Sequence, residues 1–135
     1  EMTSHAVDVN GRKLILFFSG RSEFSNHYPC EIVDDDGRRY SCSEQIYMRN
    51  KAIFFGDFEA ADEIMRTRNP GQQKQIGKRV KGFKQEVWNQ VSQQVMYLAL
   101  TLKFSQNDNL KRILMDTGDG VLVECSKFDQ RWGIG

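Results

Sequence analysis

The apolar positions of the chain change rhythm part-way along. KLILFF, residues 13–18, is a near-continuous apolar run and predicts a buried strand. EIVDDDGRRY, residues 31–40, reads as a hairpin, because Asp36-Gly37 between two short runs can supply the positive φ angles of a tight turn. From residue 41 the spacing becomes helical. SCSEQIYMRNKAIFF opens with Ser41-x-x-Glu44, the capping-box spacing in which a serine and a glutamate satisfy two orphan backbone N–H groups. EAADEIMRTRNPG, residues 59–71, is read as a second helix closed by Asn69-Pro70-Gly71. In KQEVWNQVSQQVMYLALTLKF, residues 84–104, Trp88, Val91, Val95, Leu98 and Leu102 alternate spacings of 3 and 4 and predict one apolar stripe on the longest helix, the spine of the core. Asp108 is expected to cap a shorter helix through Leu110, Ile113 and Leu114. VLVEC, after the Gly118-Asp119-Gly120 turn, reads as a returning strand. The expected fold class is α+β: one mostly helical domain with a small β-sheet built from the two ends of the chain.

Composition narrows the function classes. A chain of 135 residues, 39% apolar, is the size of one domain with one core. Basic residues outnumber acidic ones by 19 to 18, so no strong field draws the chain to nucleic acid or to a membrane surface, and an anionic ligand must be met locally. Three cysteines without a C-x-x-C spacing speak against a disulfide framework and a zinc site, and two histidines make imidazole ligation thin; no metal and no cofactor is expected. No apolar run approaches the about 18 residues of a membrane span, and the N-terminal stretch lacks the order of a secretory signal. An intracellular, cytoplasmic home is expected. The opening on Glu1 rather than methionine suggests a processed or excised fragment.

Several polar residues interrupt the apolar pattern. Glu44 and Lys51 lie seven apart on one predicted helix, so they point in nearly the same direction, roughly 10 Å apart along the axis. Glu44 is read as half of the capping box, a role compatible with lining a pocket. Lys51 is either a solvated surface lysine or, if Ala52, Ile53, Phe54 and Phe55 desolvate it, an amine with enough free base to act as a nucleophile. The basic stretch KQIGKRVKGFK is either a wet helix face or a phosphate contact, with Arg79 the first candidate. The segment FSGRSEFSNHYPC sets Phe18, Ser25 and Asn26 in a loop whose rings and small polar groups suit a base and its sugar, against the plainer reading of a capped loop folding its rings inward. His27 is expected to serve hydrogen bonding in that loop. Trp88 by its periodicity belongs to the core.

These blocks, taken in order, resemble the YbiA-like or NADAR (NAD and ADP-ribose associated) family over about residues 16 to 135. The resemblance is carried by FFS and FSN, by SEQ-x-YM-x-x-KA-x-x-F-x-D, by the stretch from Gly77 to Trp88, by KF-x-QN, by L-x-x-TGD-x-x-LVE-x-S and by D-x-x-WGIG. It implies the YbiA-like fold and an N-glycosidase that hydrolyses a ribose C1′–N bond. The implied substrate is a phosphorylated ribosylamino-pyrimidine of riboflavin biosynthesis, or ADP-ribosylated guanine in nucleic acid. Residue by residue it implies catalytic roles for Lys51, Glu44 and Asp129, and ligand contacts from Gln45, Trp88, Trp132 and Gly133 beside Phe18, Ser25, Asn26 and Arg79. The alternative is a non-catalytic ADP-ribose or nucleotide-binding module using the same pocket. Family members generally continue past the WG-x-G block into a closing helix, a segment this sequence does not contain, and residues 1–12 match no part of the pattern and are read as a flexible extension.

Overall fold

The computed structural model describes residues 3–9, 12–18, 23, 25–116 and 123–124, with side chains at 23 and 25–113. In chain order the elements are β1 (Thr3–Val9), β2 (Arg12–Phe18), β3 (Ile32–Val33), β4 (Arg39–Tyr40), α1 (Ser43–Phe54), α2 (Phe58–Met65), α3 (Pro70–Lys78), α4 (Gln85–Gln106), α5 (Asp108–Asp116) and β5 (Val123–Glu124). The fold is α+β, with helices in the majority.

The sheet joins sequence-distant strands in the order β1-β2-β5, all antiparallel. Leu14 faces Glu124 and Ile15 faces Val123, so the run at residues 13–18 is met by the returning VLVEC strand, as its pattern predicts. Thr3–Val9, within the stretch that matches no part of the family pattern, pairs with β2 residue for residue from Thr3↔Phe18 to Val9↔Arg12. The expected hairpin is β3-β4, with Ile32 opposite Tyr40 and Val33 opposite Arg39. Gly37 turns it at a φ of 86°, and Asp34 Oδ1 accepts from the Asp36 and Arg38 N–H groups, both at 2.9 Å.

Helices α1, α2 and α3 enclose a cluster of Met48, Ala52, Ala60, Ala61, Ile64, Ile76 and Val80. A second cluster, Ile32, Tyr40, Ile46 and Ala99, joins the hairpin and α1 to α4. Small residues at these contacts let the helices approach closely. At Gly77 a Cβ would fall 2.2 Å from Met48 Sδ, so any larger residue there has to displace the Met48 side chain.

Four local expectations are corrected. The capping box does not form: Cys42 is the N-cap of α1 without a side-chain cap bond, the Ser41 hydroxyl donates instead to Gln45 Oε1 at 3.1 Å, and Glu44 turns away. The start of the helix is buried, and interior amide groups take over the task that a capping box performs at a wet end. Asn69-Pro70-Gly71 opens α3 rather than closing α2. Asn69 Oδ1 accepts from the Gln72 N–H at 3.0 Å, and proline at the first helical position loses only an N–H that has no partner inside the helix. Asp108 is the first residue of α5 rather than its cap. Along α4 the stripe holds at Trp88, but Leu98 is 45% exposed, while Ala99, Leu100, Lys103 and Phe104 are buried. A 3-4-3-4 spacing drifts by about 20° every seven residues relative to a straight helix, so such a stripe leaves one contact face over the length of α4.

The Gly77 contact is directly testable. Gly77→Ala adds helix preference of about 1 kcal/mol but must push Met48 out of the α1–α3 seam. Urea denaturation should show a net loss of roughly 1–2 kcal/mol, partly recovered when Met48→Ala is added. A Gly77→Ala variant as stable as the parent would contradict the packing.

Candidate active site at the start of helix α1

The first residues of α1 lie inside the protein, where backbone N–H groups need partners and water is scarce. The loop before the hairpin supplies them. Asn26 O accepts the Glu44 N–H at 2.9 Å, and Asn26 Oδ1 accepts the Ser43 hydroxyl at 2.8 Å. Gln45 is also consumed here: its Nε2 donates to Ile64 O at 3.0 Å and Thr67 O at 3.1 Å, and its Oε1 accepts from the Ser41 N–H at 2.7 Å. Gln73 repeats the device from α3, donating to Thr67 O at 2.8 Å while accepting from Cys42 Sγ at 3.3 Å. Both amides tie the α2–α3 link to the start of α1.

Against this satisfied frame one group stands apart. Glu44 is only 6% exposed, and its Oε2 is a buried polar atom with no hydrogen-bond partner among the described residues. Its other oxygen lies 3.7 Å from His27 Nε2. Burial pushes the Glu44 carboxyl above its ordinary pKa, opposed by the charges of His27, Lys74 and Lys51. Two turns along the same helix, Lys51 is also buried, and its Nζ sits 4.3 Å from the centroid of the Phe83 ring. Desolvation lowers the Lys51 pKa, opposed by Glu44. The two environments work in opposite senses on the two groups. Glu44 keeps its proton to higher pH than usual, and Lys51 loses its proton at lower pH, which suits an acid and an amine nucleophile respectively.

The turn that delivers Phe83 is itself held. Asp57 caps α2 through the Ala60 N–H at 3.1 Å, and its second oxygen accepts the Lys81 N–H at 2.9 Å. Gly82, at a φ of 80°, then reverses the chain so that residue 83 points back at α1.

The remaining sequence candidates separate. Asn26 joins Glu44 directly, and Ser25 lies beside it, with an exposed side chain whose Oγ accepts the His27 N–H at 3.0 Å. Trp88 is buried, its indole N–H donating to the Tyr47 hydroxyl at 3.2 Å amid the rings of Tyr47, Phe54 and Phe55. Arg79 is exposed at the C-cap of α3, 3.9 Å from Glu63. Phe18 ends β2. Asp129, Trp132 and Gly133 lie outside the described residues.

The sequence places Lys74 among the cations of the basic stretch but does not show that its charge reaches Glu44, nor that His27 neighbours Glu44 and Phe83 neighbours Lys51. A spacing rule links residues on one helix, whereas these three arrive from other segments. His27 also lines a cleft of about 440 Å³ with Cys30, Ser41, Arg68 and Pro70, within the size range of small-ligand pockets. Among the described residues no group of three or more His, Cys, Asp or Glu side chains converges as metal ligands would, and no helix is long and apolar enough to cross a membrane.

A buried acid and amine on one helix, set in a helical α+β frame, define a candidate enzyme site of the carboxyl–lysine kind. The NADAR domain model matches residues 16–135, and the chain belongs to the NADAR family. It is 36% identical to protein irg-1 of Caenorhabditis elegans, over 90% of this chain and 64% of that protein, so it spans less than two thirds of that relative. It is 31% identical to N-glycosidase R617 of Acanthamoeba polyphaga mimivirus, over 89% of this chain and 77% of that one. It is also 33% identical to the chloroplastic riboflavin biosynthesis protein PYRR of Zea mays, over 87% of this chain and 20% of that one.

The buried carboxyl has a stability signature. Its folded-state pKa is raised, so its favourable contribution is complete below the ordinary carboxylate range and is lost as pH rises through the folded value. Glu44→Gln should therefore raise the melting temperature by a few degrees at neutral pH, with the gain vanishing in acid. Equal melting curves at both pH values would show that burial does not strain this carboxyl.

Proposed function

We propose that the chain is an N-glycosidase that cleaves a ribose C1′–N bond, with Glu44 and Lys51 as its working groups. The observation that carries this reading is the buried Glu44 carboxyl with an unpartnered oxygen, on one helix face with a desolvated Lys51 amine. An uncompensated buried carboxyl is costly, and such groups persist where they act on a ligand. The relative named N-glycosidase R617 supports the reaction class, and the one named for riboflavin biosynthesis supports a ribosylamino-pyrimidine as one substrate type.

In the favoured mechanism Lys51 attacks C1′ as the free amine. The C1′–N bond to the base breaks with its electron pair passing to the departing nitrogen, which takes a proton from Glu44. The ribose ring then opens at C1′–O4′, giving a Schiff base to Lys51 and a protonated O4′. Water adds to C1′, Lys51 is released as the amine, and the sugar leaves as its free aldehyde or closed form. The Phe83 ring keeps water from the amine, and His27 stands 3.7 Å from the acid. Asp129 is proposed to handle a second proton or a ribose hydroxyl, and Trp132 and Gly133 to form the pocket edge, as the family resemblance implies. Within the basic run, Lys74 is the cation whose charge Glu44 feels, so the phosphate end of the substrate is assigned to Lys74 and Arg68 in preference to Arg79, which pairs with Glu63.

A paired assay decides between substrates: an ADP-ribosylated guanine oligonucleotide and a ribosylamino-pyrimidine phosphate, each followed for released base. Release from at least one is expected, with Glu44→Gln slower by about 100-fold and a mass adduct on Lys51 after borohydride reduction during turnover. Lys51→Arg should lose nearly all activity. Substantial activity in that variant would leave Lys51 an electrostatic contact and hand the attack to water activated by Glu44 or Asp129. Binding without release from either substrate would overturn the enzyme in favour of an ADP-ribose or nucleotide-binding module.

A further inference from the structure

Lys103 is wholly buried, on a face of α4 that it shares with Ala99, Leu100 and Phe104. An ammonium removed from water needs strong compensation. Its Nζ donates to Ser25 O at 2.8 Å and lies 5.2 and 5.7 Å from the ring centroids of Phe104 and Tyr28. The Ser25 carbonyl is also the acceptor of the Tyr28 N–H at 3.1 Å, so this one oxygen closes the 25–28 turn and anchors it to α4. The residue next to the anchor is Asn26, whose carbonyl and side chain hold the Glu44 N–H and the Ser43 hydroxyl. Next follows His27, 3.7 Å from the Glu44 carboxyl. A hydrogen bond at each end thus joins the buried ammonium through the 25–28 turn to the backbone of Glu44, and the same turn sets His27 beside the carboxyl.

We infer that Lys103 is a positioning residue: its buried ammonium locks the 25–28 turn against α4, so that Asn26 and His27 hold Glu44 in its working place. The inference rests on the reading of Glu44 as the working acid. Lys103 opens the KF-x-QN block of the family pattern, but spacing alone gives a lysine beside Phe104 near the end of a helix no more than the look of a solvated side chain.

The lock is sensitive to pH. Burial depresses the Lys103 pKa to about 8, opposed by Cys30 before the hairpin, Cys42 at the start of α1, and Glu23. Burial raises both thiols. Above about pH 8 the charge-assisted bond to Ser25 weakens, and the turn loosens. Global stability moves the other way. A lysine whose folded pKa lies below its unfolded value adds stability as pH climbs from the first value to the second. A site that slackens while the fold firms distinguishes a positioning role from simple unfolding.

The test uses Lys103→Met and Lys103→Arg, with carbon NMR of the Ser25 carbonyl and the Glu44 carboxyl beside kinetics. Lys103→Met should melt at or above the parental temperature, shift the Glu44 carboxyl signal, and lower kcat by about tenfold or more with KM little changed. Lys103→Arg should restore part of both. In the unmodified chain, both carbon signals should follow the titration of Lys103. A folded Lys103→Met protein with parental carboxyl signal and parental pH profile would overturn the inference. If that variant does not fold, flat Ser25 and Glu44 signals through the Lys103 titration overturn it equally. The NMR readouts need no substrate, so they decide the positioning role even if no N-glycosidic bond is cleaved.

Discussion

A helix that begins inside a protein must find partners for its first N–H groups without water, and that constraint organises the centre of this fold. Helix α1 begins where Ser41, Cys42, Ser43, Glu44 and Gln45 are all buried. The neighbouring chain is shaped to meet the demand: the 25–28 turn presents the Asn26 carbonyl to the Glu44 N–H, Gln45 Oε1 takes the Ser41 N–H just before the helix, and Gln45 and Gln73 donate to Thr67 O of the α2–α3 link. Each amide is a commitment, because breaking one bond of a dry network leaves its partner exposed to the full cost of desolvation. The frame is rigid because little in it can be given up singly.

That rigidity lets two ionisable groups be kept in surroundings that favour their neutral forms. A mobile helix would swing Glu44 and Lys51 toward water and recover their hydration. Here α1 is pinned at its start by the 25–28 turn and along its length by α2, α3 and α4. Phe83 meets Lys51 through a turn fixed by Asp57 and Gly82. The same residues thus serve packing and chemistry, and the NADAR blocks around SEQ and KA combine structural members with candidate working ones. Gln45 and Asp57 belong to the frame, and Glu44 and Lys51 are the candidate working groups set on it.

What could be read from the sequence follows from the range of each signal. Periodicity is local, so the strand at 13–18, the returning strand at 123–124, the hairpin and the long helix were all legible, and the seven-residue spacing put Glu44 and Lys51 on one face. Signals with two physical meanings misled. Ser41-x-x-Glu44 has capping spacing whether or not the end is wet, and Asn-Pro suits the start of a helix as well as its end. Thr3–Val9 has only Ala6, Val7 and Val9 as apolar residues, too sparse a pattern to announce a strand that β2 recruits. Contacts made across the chain were illegible: His27 on Glu44, Phe83 on Lys51, and a lysine at 103 placed among apolar side chains. Burial is a property of the assembled fold, and no window of sequence contains it.

The pairing of β2 with β5 closes a loop that contains every helix among the described residues. The entropy of closing so long a loop grows only with the logarithm of its length, so a few residues gained or lost between helices change it very little. Register is strict by comparison, because a slip of one residue would turn each side chain of β2 to the opposite face. The architecture is therefore tolerant of length in its connections and intolerant of phase in its sheet, which leaves the loops around the site free to vary while the frame beneath them stays in step.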